Sequence, residues 1–307
     1  MFRESTPYSR NNKKIMALKD KHKRILYAYL FFLPFLIAFI AFRAIPFAQS
    51  IWLTFHKWDI FGEPEFVGLA NFTQAFTTPR FWDSLWHTIY FTLLTVPPLV
   101  VFGFLLAILV HGNILFKGFF RSAFYLPYVL SISVVCLTWG LLYNSSYGVL
   151  NSFVTSMGFR PIKWLGDPSW AMPSIAITTI WWTLGFNFLI YLAGLQQISR
   201  NYYEACDIDG ANSWQKLRYI TIPLLKRSHV LVLVLQVIAS LQIFGQVYIM
   251  TGGGPGGKTR VLVQYVYEQG FRYFKMGYAQ TIAFVFFLLM IGVSYVQIRL
   301  MMAKEEY

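Results

Sequence analysis

The chain has 307 residues, of which 56% are hydrophobic and only 13% are charged. Soluble domains carry about 25% charged residues, and a mean hydropathy of +0.50 also excludes an ordinary soluble class. The composition therefore predicts an all-α integral membrane protein. The two cysteines suggest no disulfide framework, and the five histidines show no metal-ligand spacing, so no metal site is expected.

Positive charge is concentrated before the first apolar run. Eight of the 26 Lys and Arg residues precede Ile25, and the formal net charge is +13. A basic cluster beside a span is typical of a cytoplasmic segment that contacts anionic lipid. A nucleic-acid-binding arm would carry similar charge, but no nucleic-acid module follows. We predict a basic cytoplasmic segment over residues 1–24, membrane lipid as its partner, and no nucleic-acid partner.

Six apolar runs follow, each close to the roughly 20 residues that cross a bilayer. The predicted spans are residues 25–47, 88–110, 119–142, 172–194, 228–250 and 276–300. The transmembrane domain thus covers residues 25–300, and residues 301–307 form a short tail. Pro97 and Pro98 predict an interrupted, kinked second span. Two short surface helices are expected between the first two spans, and TGGGPGGKT (residues 251–259) is expected to be a flexible turn.

The distribution of Lys and Arg predicts the orientation. Six spans place both termini on one side, and the segments of that side hold 17 Lys and Arg residues. The three loops of the other side are longer in total but hold 8, and Arg43 in the first span completes the 26. Because basic residues are enriched in cytoplasmic loops, both termini and the loop between the fourth and fifth spans are predicted to be cytoplasmic.

That cytoplasmic loop, residues 201–224, is polar but carries a helical pattern. Trp214, Leu217 and Ile220 fall on one helix face, for which the chain offers no obvious partner. Gly210 is predicted to break a helix that begins at Tyr203. The loop is therefore predicted to form two short amphipathic helices that lie at an angle to each other, outside the bilayer.

Three residues predict where the second of these helices begins and ends. Asn212 or Ser213 is expected to cap its first turn, because short polar side chains accept from free backbone N–H groups there. Pro223 is expected to end it or to set the entry into the fifth span.

Residues 201–224 resemble a known pattern at three places: Glu204-Ala205-Cys206, Gly210 and Ile220-Thr221-Ile222-Pro223. It is the Glu-Ala-Ala, Gly, Ile-x-Leu-Pro pattern of the coupling loop in permease subunits of binding-protein-dependent ABC importers. Cys206 replaces the second alanine and Ile222 replaces leucine. The context YYEACDIDGANSW, and FVGLANF in the first outer segment, are similar to the carbohydrate (maltose or multiple-sugar) branch. The resemblance covers the chain from about residue 25 to its end.

This resemblance implies a type I ABC importer permease with six transmembrane helices, in the inner (cell) membrane of a bacterium or archaeon. The chain would form half of a sugar translocation pathway. The implied partners are a second, similar permease, two cytoplasmic ATPase subunits that bind ATP and Mg²⁺, an extracytoplasmic sugar-binding protein, and a sugar or oligosaccharide. Coupling to the ATPase is assigned by the motif to Glu204, Ala205, Asp209, Gly210, Ile220 and Pro223.

The residues themselves argue against two other classes. No Walker pattern occurs, and TGGGPGG lacks the spacing of a phosphate-binding loop, so the chain is not expected to hydrolyse ATP or bind a cofactor. The sequence shows no pair of a general base and a nucleophile, so a membrane enzyme is not expected. A stand-alone secondary transporter or channel for a small polar solute is the alternative. Ion-coupled transporters usually place ionisable groups in the membrane, and the spans contain almost none.

Uncharged polar and aromatic residues in the fourth and fifth spans are the candidate solute contacts, because a hydroxyl-rich solute needs amides and aromatic faces. The set is Trp182, Asn187, Tyr191, Ser240, Gln242, Phe244 and Gln246. The same amides would equally serve as hydrogen bonds between helices. The basic outer loops favour an acidic glycan, whereas Asp59, Glu63, Glu65 and Asp83 weaken that inference, so the sugar stays open.

Overall fold

The computed structural model describes residues 29–112 and 115–302, together with Lys23 and Tyr27. The predicted basic segment 1–24, apart from Lys23, and the last five residues of the predicted tail lie outside the described residues. Two strands, β1 (His56–Lys57) and β2 (Glu65–Phe66), pair antiparallel. The helices of the described chain are α1 (Tyr29–Leu53), α2 (Ala70–Thr77), α3 (Pro79–His111), α4 (Lys117–Val129), α5 (Ile132–Leu142), α6 (Val149–Ser156), α7 (Pro168–Gln197), α8 (Arg200–Ile208), α9 (Ser213–Leu224), α10 (Lys226–Leu241), α11 (Gly245–Met250), α12 (Leu262–Tyr267) and α13 (Met276–Met302), with a π-helical segment (Glu268–Arg272) directly after α12.

Four of these helices, α1, α3, α7 and α13, are long and apolar enough to cross a membrane. Two bent pairs pass the same test together: α4 with α5, at 96°, and α9 with α10, at 64°. Counting each bent pair as one span gives six. The predicted all-α fold with six spans is confirmed at this level.

The predicted third span, residues 119–142, is not one straight helix. The helix ends at Val129, and Leu130 and Ser131 are extended, with ψ of 145° at both. Ser131 then caps α5, since its side chain accepts from the backbone N–H of Val134 at 3.4 Å. The freed carbonyl of Leu130 accepts from the indole N–H of Trp182 at 3.2 Å, so a tertiary contact stabilises the break.

The predicted fifth span, residues 228–250, is also divided. α10 ends at Leu241, and Gln242 and Phe244 take non-helical backbone angles before α11 begins at Gly245. A Cβ at Gly245 would lie 2.5 Å from Cδ1 of Ile132, so α11 packs closely on the start of α5. The break lets the chain leave the axis of α10 and pack there.

The second span is longer and more continuous than predicted. α3 has 33 residues and runs through Pro97 and Pro98 without the expected interruption. At about 1.5 Å per residue it is about 50 Å long, more than the bilayer core of about 30 Å. Its first ten residues, about three turns, are the PRFWDSLWHT segment, which the sequence predicted as a separate surface helix. Only α2 is separate.

Three buried hydrophobic clusters hold the spans together, and α3 contributes to all of them through Phe81, Phe91 and Ala107. α7 contributes to two, and its packing on α4 is so close that a Cβ at Gly185 would overlap the carbonyl oxygen of Phe124. α3 and α7 therefore form the centre of the subunit. By contrast, Phe31 in α1 is 91% exposed.

Candidate coupling surface and solute cavity

The two predicted helices of residues 201–224 are present. α8 begins at Arg200, three residues earlier than predicted, and is capped by the Ser199 side chain. Gly210 turns the chain with a φ of +73°. Asn212 then forms a capping box, because its Oδ1 accepts from the Gln215 backbone N–H at 2.9 Å and its backbone N–H donates to Gln215 Oε1 at 2.8 Å. The expected break and cap are confirmed.

Side-chain contacts join α8 and α9 into one unit, which we call the coupling unit (residues 200–224). The Tyr203 hydroxyl lies 3.0 Å from Thr221 Oγ1, and Lys216 forms an ion pair with Asp207. Pro223 is the penultimate residue of α9, and the non-helical Leu225 separates it from α10. The two helices of the coupling unit are therefore linked to each other, and one residue separates the unit from α10.

Most of the residues assigned to coupling by the motif lie on the surface of this unit. Glu204, Ala205, Asp209, Gly210 and Pro223 are exposed, and Ile220 is half-buried. Large apolar side chains stand beside them, with Ile208 87% exposed and Trp214 66% exposed. Acidic groups next to uncovered apolar side chains are typical of a surface that another protein covers.

The apolar face of α9 borders a groove of its own chain and is only partly covered there, with Trp214 66% exposed. Trp214 and Leu217 line a groove of about 530 Å³ whose opposite wall is the end of α3, at Ile108 and His111. The coupling unit therefore lies across this groove from the last turn of a central span. The sequence did not predict this arrangement, because it brings together residues about a hundred positions apart.

A second cavity, of about 350 Å³, lies between α7 and α10, and we call it the solute cavity. It is lined by Trp182, Ser240 and Gln246 of the predicted solute contacts. Its other lining side chains are Phe91, Tyr128, Thr179, Thr183, Phe186, Leu235, Gln236, Ala239 and Ile243. All of them are uncharged, and aromatic faces alternate with hydroxyls and amides. Such a wall suits a neutral, hydroxyl-rich solute.

The remaining predicted solute contacts lie away from this wall. Asn187 is fully buried, and its Oδ1 accepts from Gln236 Nε2 at 2.8 Å. Tyr191 is also fully buried, with its hydroxyl 3.0 Å from His229 Nδ1. Phe244 stacks on Tyr248, outside the lining.

Gln242 is exposed, and its amide nitrogen lies 3.7 Å from the sulfur of Met290. Gln236, which sequence reasoning left out of the set, lines the cavity. It precedes Ser240 by four residues, and that spacing places both on one face of α10. Ser240 itself is held by Thr95, with 3.0 Å between the two hydroxyl oxygens. No group of His, Cys, Asp and Glu suited to a metal occurs in the part of the chain that the structure describes.

Comparison with known proteins decides the family. Residues 68–303 match the family model described as binding-protein-dependent transport system inner membrane component. The chain belongs to this family. The permease is thus an inner-membrane component of a transport system that works with a substrate-binding protein, and the family is one of transport permeases rather than enzymes. The resemblance carried by residues 201–224 is confirmed.

Curated relatives span almost the whole permease. It is 36% identical over 282 residues to the sulfoquinovosyl glycerol transport system permease protein SmoG of Agrobacterium fabrum, covering 91% of this chain and 92% of the relative. It is 35% identical over 246 residues to the trehalose/maltose transport system permease protein MalF of Thermococcus litoralis, covering 80% and 83%. Both relatives are permease proteins of carbohydrate transport systems.

The fold also matches a solved transporter. A chain in the crystal structure of a bacterial alginate ABC transporter, in complex with an alginate pentasaccharide-bound periplasmic protein, superposes with a TM-score of 0.80. The match covers 91% of the permease and 94% of that chain, at 23% identity. The predicted type I importer fold is confirmed.

Proposed function

We propose that the permease is one of two membrane subunits of an ATP-driven sugar importer and forms half of the translocation pathway. The observation that carries the proposal is the coupling unit, whose motif residues, apart from half-buried Ile220, are exposed within the family-matched range of the chain. The sugar specificity of the curated relatives supports carbohydrate as the solute class. Binding-protein dependence speaks against the alternative of a stand-alone secondary transporter or channel.

The coupling unit would dock in a surface cleft of a cytoplasmic ATPase subunit, which binds the ATP and Mg²⁺. Exposed Glu204 and Asp209 supply charge, and Ile208 supplies apolar contact. Closure of the ATPase dimer would displace the unit as a body. Because α9 leads into α10 through Leu225 alone, the displacement reaches the solute cavity, and the spans alternate between inward-facing and outward-facing.

In the solute cavity we assign direct contact to Trp182, Gln236, Ser240 and Gln246. Asn187 would act through Gln236, whose amide it holds. Tyr191, Gln242 and Phe244 would then act on helix packing or on the outer end of the pathway, not on the cavity wall.

The rest of the assembly follows from the same proposal. A second, similar permease completes the pathway, two ATPase subunits bind the coupling units, and an extracytoplasmic binding protein delivers the sugar. The coupling unit then faces the cytoplasm with both termini, in agreement with the distribution of Lys and Arg. The exposed side chains of α1 would contact lipid or the second permease.

A gentle detergent pull-down of the tagged permease tests this assignment. We expect a second permease and an ATPase to co-purify in stoichiometric amounts, and the complex to hydrolyse ATP. The binding protein added to proteoliposomes should stimulate hydrolysis. A lone permease without nucleotide-dependent transport would overturn the proposal in favour of a secondary transporter.

Trp182 is expected to contribute strongly to uptake through its aromatic face. Loss of a stacking face costs about 1 kcal/mol, so Trp182→Ala should raise the KM for uptake of the sugar carried by the co-purified binding protein by roughly fivefold to tenfold. Trp182→Phe keeps a ring but loses the bond to Leu130, and it should be affected less. Trp181→Ala is the matched control, because Trp181 is 43% exposed and outside the cavity wall. Equal KM values for the two alanine variants would contradict the assignment.

A further inference from the structure

A third cavity, of about 300 Å³, lies at the opposite end of the subunit from the coupling unit, and we call it the outer pocket. The first turns of α3 supply Arg80, Asp83 and His87 to its wall, and the loop that follows α11 supplies Gly257, Lys258 and Arg260. The other end of α3 borders the groove of the coupling unit. Under the proposed function the outer pocket therefore opens toward the binding protein's side of the membrane.

The loop of the outer pocket, which its glycines predict to be a flexible turn, is bridged by hydrogen bonds in the structure. The hydroxyl oxygens of Thr251 and Thr259 lie 2.8 Å apart, and the Thr259 hydroxyl also lies 2.6 Å from the Gly254 carbonyl oxygen. The Leu262 N–H donates to Thr88 Oγ1 at 2.9 Å and anchors the loop to α3. Both walls of the pocket are consequently held in place by hydrogen bonds.

The cationic groups of the pocket are not all neutralised. Arg260 pairs with the buried carboxylate of Glu268, with Nε 2.9 Å from Oε2. Arg80 and Lys258 form no ion pair within the described residues. Arg80 also sits in the first turn of a 33-residue helix, where the helix dipole has the same sign as its charge. An anion between these groups would relieve that repulsion.

The acidic residues that weakened the sequence-based case for an acidic solute are mostly elsewhere. Of Asp59, Glu63, Glu65 and Asp83, only Asp83 lines the outer pocket. One carboxylate beside two cations that have no ion pair within the described residues, Arg80 and Lys258, suits a ligand with two kinds of group. The cations would bind its acid, and Asp83 would accept from its hydroxyls.

We propose that the outer pocket binds the carboxylate or sulfonate group of an acidic sugar as it enters the pathway. The proposal rests on the proposed function, since it assumes that this end faces the sugar-binding protein. A 300 Å³ pocket accommodates about one sugar unit. The solute cavity, which is lined by uncharged side chains, would then contact the hydroxyls and ring faces.

Binding of labelled D-glucuronate to the full-length permease in nanodiscs, with unlabelled D-glucose or D-glucuronate as competitor, tests this inference. The double variant Arg80→Gln/Lys258→Gln should bind D-glucuronate at least about tenfold more weakly, because two charge-assisted contacts are lost. Arg160→Gln/Lys163→Gln is the matched control, with the same change in charge at exposed residues of the same end. D-Glucose should not compete.

Equal affinities in the two double variants, or D-glucose competing as well as D-glucuronate, would overturn the proposal. So would unchanged D-glucuronate binding together with weaker capture of the binding protein, since the cations would then serve protein docking. These outcomes leave the importer assignment standing when the ATPase still co-purifies. If the ATPase fails to co-purify while D-glucuronate binding is intact, the importer assignment is rejected and the anion-binding pocket stands.

Discussion

Replacement of Gly210 by proline is expected to abolish ATP-driven uptake while the permease remains inserted in the membrane. Gly210 has a φ of +73°, whereas proline fixes φ near −65°. Proline also removes the N–H that donates to the Asp207 carbonyl at 3.2 Å. The turn between α8 and α9 would therefore change direction, and the two ends of the coupling unit would no longer fit one cleft together.

Gly210→Asn is the control for this change. No atom lies within 4 Å of the position of a Cβ on Gly210, so a side chain fits there and the backbone angle alone is limiting. Asparagine tolerates left-handed angles better than other residues with a side chain. We expect uptake within about threefold of wild type for Gly210→Asn and below a tenth for Gly210→Pro, both normalised to permease in the membrane fraction.

Glu204→Lys separates charge from shape at the same surface. Glu204 pairs with Arg200 at 3.0 Å, but its side chain is 59% exposed, and such pairs stabilise a fold by about 1 kcal/mol or less. The variant should therefore fold and insert normally while losing uptake and the co-purifying ATPase. Normal uptake in both Gly210→Pro and Glu204→Lys would remove the coupling role from this surface.

The features of the coupling unit that the sequence predicted depend on local rules. Gly210 was recognisable because only glycine readily takes the left-handed angle of such a turn. Asn212 was recognisable because its oxygen satisfies free N–H groups within three residues of it. Both features depend on residues within about one helical turn of each other, so they can be recognised from the spacing of residues along the chain. The number of spans is predictable for a similar reason, since it depends on apolar length alone.

The features that the sequence did not predict depend on distant partners. The break between α4 and α5 is stabilised by Trp182, 52 residues after Leu130. The outer pocket needs a bond between Thr88 and Leu262, which are 174 residues apart. Periodicity shows which face of a helix is polar, but not which other helix meets that face. Sequence reasoning therefore left Asn187 open between solute contact and a hydrogen bond to another helix, and in the structure its Oδ1 accepts from Gln236.

The largest loss of stability is expected from Gly185→Ala, on the face of α7 that packs against α4. The added Cβ would overlap the Phe124 carbonyl oxygen and lie 2.8 Å from the Tyr125 Cα. Backbone atoms cannot rotate away as a side chain can, so α4 must move back. Overpacking of this kind costs about 1–3 kcal/mol, which corresponds to a fall in Tm of roughly 2–12 °C for a chain of this size.

Gly140→Ala is the matched control, since Gly140 also lies in a membrane helix but has no atom within 4 Å of the Cβ position. Its Tm in detergent should stay at or above that of wild type, because alanine favours a helix over glycine. Gly185→Ala should in addition lower uptake, since moving α4 breaks the Trp182 bond to Leu130 and shifts the wall of the solute cavity. A Gly185→Ala permease as stable and as active as Gly140→Ala would show that α4 and α7 are not in such close contact, and the cavity would then have another shape.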